Sequence, residues 1–328
     1  MIKFSVIIPL YNKAPYVKKA LESIVAQTFA DRECIIVDDG STDNSADIAQ
    51  SIIASLSETD HFIIRILRQP NSGVAAARNN GVKASRGEFV CFLDADDWWE
   101  PTFLEEMDKL LREYPDAGIY ASNYIYYKPG KTHVALDFGR GYMNYPETYL
   151  HSVAMPVWTG AACMPRNVFD EMGGFPAGIK LGEDFLLWAK TALHYKVAYC
   201  EKPLAYYNND VPAHLRATRN LHAPEYHMLF HLDPIEETIH HTPYTIPQQA
   251  AWTQLLDKLR ISGLMDYWLS DEYHAAAAAE LAKVDWSKQP RNAKCQYERP
   301  IWTIKAKRRF MQIGSYFKQK LIKLIGKR

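Results

Sequence analysis

The sequence predicts an α/β fold, a mostly parallel β-sheet flanked by helices and followed by a helical C-terminal extension. Three observations predict it. Short apolar runs alternate with segments of helical periodicity through about the first hundred residues. Two acidic clusters stand directly after apolar runs. Between about residue 212 and residue 300 three segments read as helices.

Ile2 to Pro9 reads as a buried strand, and Lys13 to Gln27 has helical spacing in Ala14, Val17, Ala20, Leu21, Ile24 and Val25. Cys34 to Val37 is the next strand, Asn44 to Leu56 a helix, His61 to Leu67 a strand, Val74 to Ala84 an Ala-rich helix and Glu88 to Leu93 a fourth strand. Such alternation implies right-handed crossovers and a sheet covered on both faces, with ligands at the carboxyl ends of the strands. Both acidic clusters, Val37-Asp38-Asp39-Gly40-Ser41-Thr42-Asp43 and Phe92-Leu93-Asp94-Ala95-Asp96-Asp97, fall there. Crowded carboxylates repel one another, so a cation or hydrogen-bond donors must compensate them. A divalent metal carrying a phosphorylated substrate is the natural candidate.

Trp98-Trp99 precedes a helix beginning near Pro101, and the indoles read as packing, with sugar stacking as the alternative. Tyr120 to Tyr127 and Tyr142 to Tyr149 suit either an acceptor cleft or ordinary strands. Pro224 to Ile239, Pro247 to Trp268 and Asp271 to Val284 read as three helices, whose Leu255, Leu256, Leu259 and Leu264 are core positions. This region covers one side of the site or mediates assembly, including a homo-oligomer.

The 328 residues are 48% apolar and 23% charged, enough for one large domain with an appendage. Cys34, Cys91, Cys163, Cys200 and Cys295 lack Cys-x-x-Cys spacing, which suits a reducing cytosol and argues against a disulfide framework or a zinc site. His240-His241 has no matched ligand partners and reads as a surface loop. Met1-Ile2-Lys3 leads straight into the first strand, so no secretory leader is expected, and no apolar run approaches the roughly 20 residues of a spanning helix. No internal repeat is evident, and Ala275 to Ala279 is simply good helix composition.

The net charge of zero hides an asymmetry. Nine of the 38 basic residues and none of the 38 acidic ones fall in residues 301–328, where Phe310, Ile313, Phe317, Leu321 and Leu324 recur at helical spacing. This is the pattern of an amphipathic helix on an anionic membrane surface, with a helix packed on protein as the alternative and nucleic acid a poor third. The expected location is cytoplasmic and peripheral on the inner face of the cell membrane.

Several ordered motifs carry a family resemblance. They are Pro9-Leu10-Tyr11-Asn12, Val37 to Asp43, Asn71-Ser72-Gly73, Ala77-Arg78-Asn79-Asn80-Gly81, Gly87-Glu88, Leu93 to Asp97, and Gly182-Glu183-Asp184 with Trp188. In these the chain resembles the family 2 glycosyltransferases of the GT-A fold, an inverting, nucleotide-sugar-dependent class. The resemblance runs from about residue 5 to about residue 190. It implies a catalytic domain over 1–211, with the nucleotide-sugar part at about 1–100 and the acceptor part at about 101–211. A helical extension over 212–300 and a basic amphipathic helix over 301–328 follow.

The resemblance also implies roles. Pro9, Tyr11, Asn12, Asp39, Gly73, Arg78, Asp94 and Asp96 would bind the donor, with the Asp39 carboxylate accepting from a base such as uracil and Gly40 giving the backbone its tight path. Turn and cap chemistry at Ser41 or Asp43 accounts for only part of that cluster. Asp96 and Asp97 would divide metal and ribose, with Mn²⁺ or Mg²⁺ as cofactor and Asp94 as support. Arg78 would reach the diphosphate or form a salt bridge, and Lys13 has a weaker claim. Trp158 to Pro165 resembles the strand returning from an acceptor loop. Asp184 is the first choice for the base that deprotonates the acceptor hydroxyl, with Glu183 in reserve, although acids that open a helix also gain from its dipole. The partners implied are a nucleotide-sugar donor, probed first as a UDP-sugar, and a surface glycan or lipid-linked saccharide acceptor. A nucleotidyltransferase would need a Gly-rich basic first loop, which Pro9-Leu10-Tyr11-Asn12 is not. A non-catalytic scaffold would have no use for Glu183-Asp184 beside two acidic clusters.

Overall fold

The structure is a computed structural model that describes residues 2–56, 63–212 and 221–305. The chain divides into two compact units, Met1–Leu255 and Leu256–Arg328. The first unit opens with an alternating half: β1 (Phe4–Leu10), α1 (Val17–Val25), β2 (Arg32–Asp38), α2 (Ser45–Ser55), β3 (Ile63–Arg68), α3 (Val74–Ala84) and β4 (Phe89–Phe92). Then come β5 (Trp98–Trp99), α4 (Phe103–Glu113), β6 (Ala117–Tyr127), β7 (His133–Val134), β8 (Gly141–Met143), α5 (Tyr145–His151), β9 (Ala162–Pro165), α6 (Arg166–Met172), α7 (Glu183–His194), β10 (Lys196–Asn208) and α8 (Asp233–His241).

Among the described residues these strands form one ten-stranded sheet in the order β3-β2-β1-β4-β9-β6-β10-β5, with β7 on β6 and β8 on β10. β3, β2, β1 and β4 are mutually parallel, so Phe4 stands opposite both Arg32 and Phe89. Beyond them the sheet is mixed, because β9 runs antiparallel to both β4 and β6. Val6, Ile7, Ile8, Ile35, Ile36 and Val37 are fully buried, as strands covered on both faces require. Gly81 lets α3 lie close on the sheet: a Cβ there would stand 2.3 Å from Ile7 Cγ2. The chain leaves β1 toward β2 and β3 on one side and later places β4 on the other. The carboxyl ends of β1 and β4 therefore flank the switch point, where open α/β sheets bind ligands.

Local differences from the sequence reading have physical causes. α1 begins at Val17 rather than Lys13, and the amide groups of Asn12, Lys13 and Ala14 ahead of it donate to Ser41 Oγ, Ser45 Oγ and Asp43 Oδ2. β2 extends back through Arg32 and Glu33, charges that look solvent-bound in sequence. Glu33 is fully buried, accepting from Ser5 Oγ at 2.7 Å and Arg65 Nη2 at 3.1 Å. Only Ala162–Pro165 of the Trp158–Pro165 run is strand; Thr159–Ala161 is a 3₁₀ turn. Pro224 to Ile239 is not one helix but two 3₁₀ turns followed by α8, which starts at Asp233 with Pro234 in its first turn. His240 and His241 are exposed in the last turn of α8, not in a loop. Cys34 and Cys91 are buried in their strands as expected.

α9 (Ile246–Gly263) spans the boundary between the units in sequence. The second unit continues with α10 (Met265–Trp268), α11 (His274–Leu281) and α12 (Arg291–Glu298). Its core contains Leu256, Leu259, Leu264, Tyr267, Ala277 and Leu281, and Trp268 meets Tyr297 edge-on at 5.6 Å. Leu255, on the first unit's side of the boundary, is also buried. Two breaks distinguish this region from the expected helices: α9 gives way to α10 at Leu264, and α11 starts at His274 rather than Asp271.

Candidate active site

The first two motifs are stitched together by side chains. Asn12 takes a left-handed conformation, φ 52°, which a short amide tolerates. Its Oδ1 accepts from the Thr42 amide at 2.8 Å and the Asp43 amide at 3.3 Å. Asp38 Oδ1 accepts from the Ser41 amide at 3.0 Å, closing the turn after β2. Asp39, expected at the nucleotide base, is 4% exposed. It accepts from Gln69 Nε2 at 2.7 Å, the Ser72 amide at 2.8 Å and the Gly73 amide at 2.9 Å. Its carboxylate therefore shapes the Asn71-Ser72-Gly73 loop, and of about four lone-pair sites one is left for a ligand. Gly40, at φ 75°, fits beside that loop, where a Cβ would come 3.0 Å from the Asn71 nitrogen.

Each acid after β4 has a partner from the protein. Asp94 Oδ1 accepts from Arg78 Nη2 at 2.7 Å, and Asp96 Oδ2 pairs with Lys13 Nζ at 2.5 Å. Asp97 is 3% exposed and accepts from the Asn208 amide at 2.7 Å, anchoring the turn to the end of β10. Burial pushes the Asp96 carboxyl up, Lys13 opposes it and Asp94 adds to it. Asp97 is pushed up further, by burial and then by the charges of Asp96 and Asp94. Of the two candidate metal ligands, Asp96 is partly exposed while Asp97 is buried.

Arg78 on α3 is buried; both terminal nitrogens of its fork are paired, while its Nε has no hydrogen-bond partner among the described residues. Nη2 meets Asp94, Nη1 meets Glu183 Oε1 at 2.8 Å, and the guanidinium lies 5.0 Å from the Phe175 ring centroid. Of the two expectations, a diphosphate contact or a salt bridge, the structure shows the ion pairs, which tie the end of β4 to the start of α7.

α7 starts after Gly182, whose φ of 83° suits glycine alone. Successive residues at a helix start point about 100° apart, which separates the two acids. Glu183 turns inward to Arg78, and its carboxyl is pushed up to about 7 by burial and by the charge of Asp184, against the pull of Arg78. Asp184 is partly exposed. Its Oδ2 accepts from Thr159 Oγ1 at 3.0 Å, and Trp188 Nε1 donates to that same hydroxyl at 3.2 Å. The Trp188–Thr159–Asp184 chain thus fixes the orientation of the acid that faces the cleft.

A cleft of about 900 Å³ collects all these groups: Pro9, Tyr11, Asn12, Asp39, Gly73, Arg78, Asp94, Asp96, Asp97, Glu183 and Asp184 all line it. It also holds Lys180, His227, Tyr149, Trp158, Tyr207 and Asn208, which sequence reasoning did not place there. Tyr149 and Trp158 lay within runs considered for an acceptor cleft or a returning strand. Lys180, His227 and Asn208 carried no motif. Burial lowers the His227 imidazole to about 4, with His222 and His231 adding to the effect, so the ring is neutral near pH 7.

Residues 5–173 match the family model described as glycosyl transferase family 2. The chain is 36% identical over 219 residues to glycosyltransferase GlyA of Streptococcus pneumoniae, covering 62% of this chain and 30% of that protein. It is 33% identical over 167 residues to the uncharacterized glycosyltransferase YibD of Escherichia coli, covering 49% and 47%. The chain thus spans under half the length of either relative. Among solved structures, S. aureus TarS 1–349 in complex with UDP-GlcNAc superposes with a TM-score of 0.67 at 19% identity, over 89% of this chain and 83% of that one. The TarS fragment with UDP alone gives 0.65 at 20% identity. The sheet and its flanking helices are those of the GT-A glycosyltransferases. The family match covers more than half of the chain, from β1 past the acids that follow β4, and this protein belongs to glycosyl transferase family 2.

Proposed function

We propose that the chain is an inverting glycosyltransferase that moves a sugar from a nucleotide-diphosphate donor, first a UDP-sugar, to a hydroxyl of a glycan or lipid-linked acceptor. One observation carries the reading: strand-end acids, a helix-start acid and the nucleotide-side loops, far apart in sequence, line a single cleft. The strand-end side, within about residues 1–100, takes the donor. The α7 side, with Tyr149, Trp158 and Tyr207, takes the acceptor. A uridine nucleotide is the donor to try first, because the fold is shared with a protein solved with UDP and UDP-GlcNAc.

The acids suit Mn²⁺ or Mg²⁺ in type, since carboxylate oxygens are hard ligands. Among the described residues no group of three or more acids, histidines or cysteines is arranged to hold a metal alone. Asp96, with Asp94 beside it, would therefore hold the ion jointly with donor phosphates and water, where it would offset charge growing on the leaving diphosphate. Asp184, held by Thr159, takes the proton of the acceptor hydroxyl as that oxygen attacks the anomeric carbon in a single displacement. Glu183 serves Arg78 instead, which keeps Asp94 and α7 in register.

No helix among the described residues is long and apolar enough to cross a membrane. The basic stripe of 301–328 lies outside the described residues beyond Lys305. Its composition supports peripheral contact with an anionic bilayer.

Calorimetric titration of UDP with and without Mn²⁺ tests the donor site. The wild type should bind UDP more tightly with Mn²⁺, and Asp96→Ala should lose that gain. Equal UDP affinity in both proteins under both conditions would remove Asp96 from the site.

A further inference from the structure

Both acids at the mouth of the cleft already carry a protein cation, and the two cations differ in what they can do. Arg78 is planar, about 4% exposed in its side chain and tied at both ends, to Asp94 and to Glu183. It cannot leave Asp94 without stranding Glu183 in the interior. Lys13 is a point charge on a flexible four-carbon stem. Its root is fixed, since its backbone N–H donates to Ser45 Oγ at 2.8 Å and its carbonyl accepts from the Tyr16 and Val17 amides. Its head sits on Asp96 at 2.5 Å, with the two side chains only 19% and 17% exposed. This contact bridges the switch point from the end of β1 to the end of β4.

A divalent cation approaching Asp96 meets that ammonium on the same carboxylate. Like charges at such range in a partly desolvated cleft repel strongly, so metal and ammonium exclude one another. A nucleoside diphosphate brings negative charge that satisfies the displaced ammonium and supplies oxygens to the metal in one event. Resting on the donor and metal reading above, we propose that Lys13 is a resident counter-ion. It closes Asp96 to divalent metal until the diphosphate draws its ammonium away, so that metal and nucleotide bind together rather than in sequence. Reciprocity then requires metal and nucleotide to raise each other's affinity by one common factor.

Mn²⁺ binding, read from the electron paramagnetic resonance signal of the free hydrated ion, tests this without turnover. In the wild type alone Mn²⁺ should bind weakly, and saturating UDP should tighten it by about tenfold or more, within the usual range of coupling between sites. Lys13→Met should bind Mn²⁺ at least about tenfold more tightly than the wild type in the absence of UDP, and the tightening by UDP should shrink by a similar factor, to the part that the phosphate oxygens supply as ligands. Lys13→Arg keeps the charge and should keep the coupling. Lys180→Met removes a different cation from the same cleft and should leave Mn²⁺ affinity within about twofold, which separates a specific latch from general charge removal. Because the Lys13 contacts to Ser45, Tyr16 and Val17 run through its backbone, an unchanged thermal transition is expected in the variants. If Lys13→Met binds Mn²⁺ no more tightly than the wild type while UDP still recruits the ion to both, the latch is wrong and the metal site stands. Mn²⁺ binding to neither protein, with or without UDP, would overturn the metal reading and the latch with it.

Discussion

Replacing Arg78 with methionine isolates the tie on which the cleft depends. Arg78 is 3% exposed, and its guanidinium meets Asp94 at 2.7 Å and Glu183 at 2.8 Å. Methionine fills much of the volume but leaves Glu183, itself 7% exposed, without its cation. Breaking a buried pair in this way costs about 3–5 kcal/mol. The loss depends on pH. The Glu183 carboxyl is raised from 4.5 to about 7, so its protonated form is favoured in the folded protein. The stability it contributes is complete below pH 4.5 and is lost as pH rises through about 7, at up to about 1.4 kcal/mol for each pH unit in that window. Removing Arg78 takes away the charge that holds the carboxyl down, which moves the upper end of the window higher. The wild type should therefore level off above about pH 7 while Arg78→Met continues to weaken. Urea unfolding at pH 5, 6, 7 and 8 should show a gap of about 1–2 kcal/mol at the lowest pH that widens to about 3 kcal/mol or more at the highest. A gap below about 1 kcal/mol at pH 8, or one that does not change with pH, would refute the buried tie.

Gly81→Ala should destabilise the protein by about 1–3 kcal/mol in the same assay, since the new methyl lands 2.3 Å from Ile7 Cγ2 in a filled core; an unchanged midpoint would mean that α3 lies further from the sheet. Removal of residues 301–328 should abolish sedimentation with anionic vesicles and leave the thermal transition of the remaining chain intact, and 1 M salt should release the full-length protein from the vesicles. Aggregation of the truncated protein would instead point to a stripe packed on protein.

Much of the alternating half is legible in the sequence because it rests on local rules. α3 spans Val74–Ala84 as its composition suggests, and β1, β2 and β4 lie within a few residues of their apolar runs. The acidic clusters announced the cleft because charge at a strand exit has no packing use. What the sequence could not reveal is which charges neutralise which. Lys13 and Asp96 are 83 residues apart, and Arg78 and Glu183 are 105 apart. Only the order of the strands around the switch point makes them neighbours. The same limit explains Asp39: sequence assigned its oxygens to a ligand, while folding spends three of its bonds on Gln69, Ser72 and Gly73 in the loop after β3. The mixed region beyond β4 was less legible because its short strands, such as β9 with four residues, take their direction from tertiary neighbours rather than from periodicity.

The most direct test compares donor turnover in the wild type, Asp184→Asn and Glu183→Gln, using a panel of UDP-sugars with Mn²⁺ and UDP affinity measured alongside. Asp184 faces the cleft on its Thr159 contact while Glu183 is turned to Arg78, so the two substitutions remove different things. The account predicts that Asp184→Asn binds UDP as the wild type does yet loses about 10²-fold or more in turnover, the scale of a general base. Glu183→Gln should retain measurable turnover. Near-normal turnover in Asp184→Asn, with Glu183→Gln inactive, would exchange the roles of the two acids. Full activity in both would contradict the assignment of α7 to the chemistry.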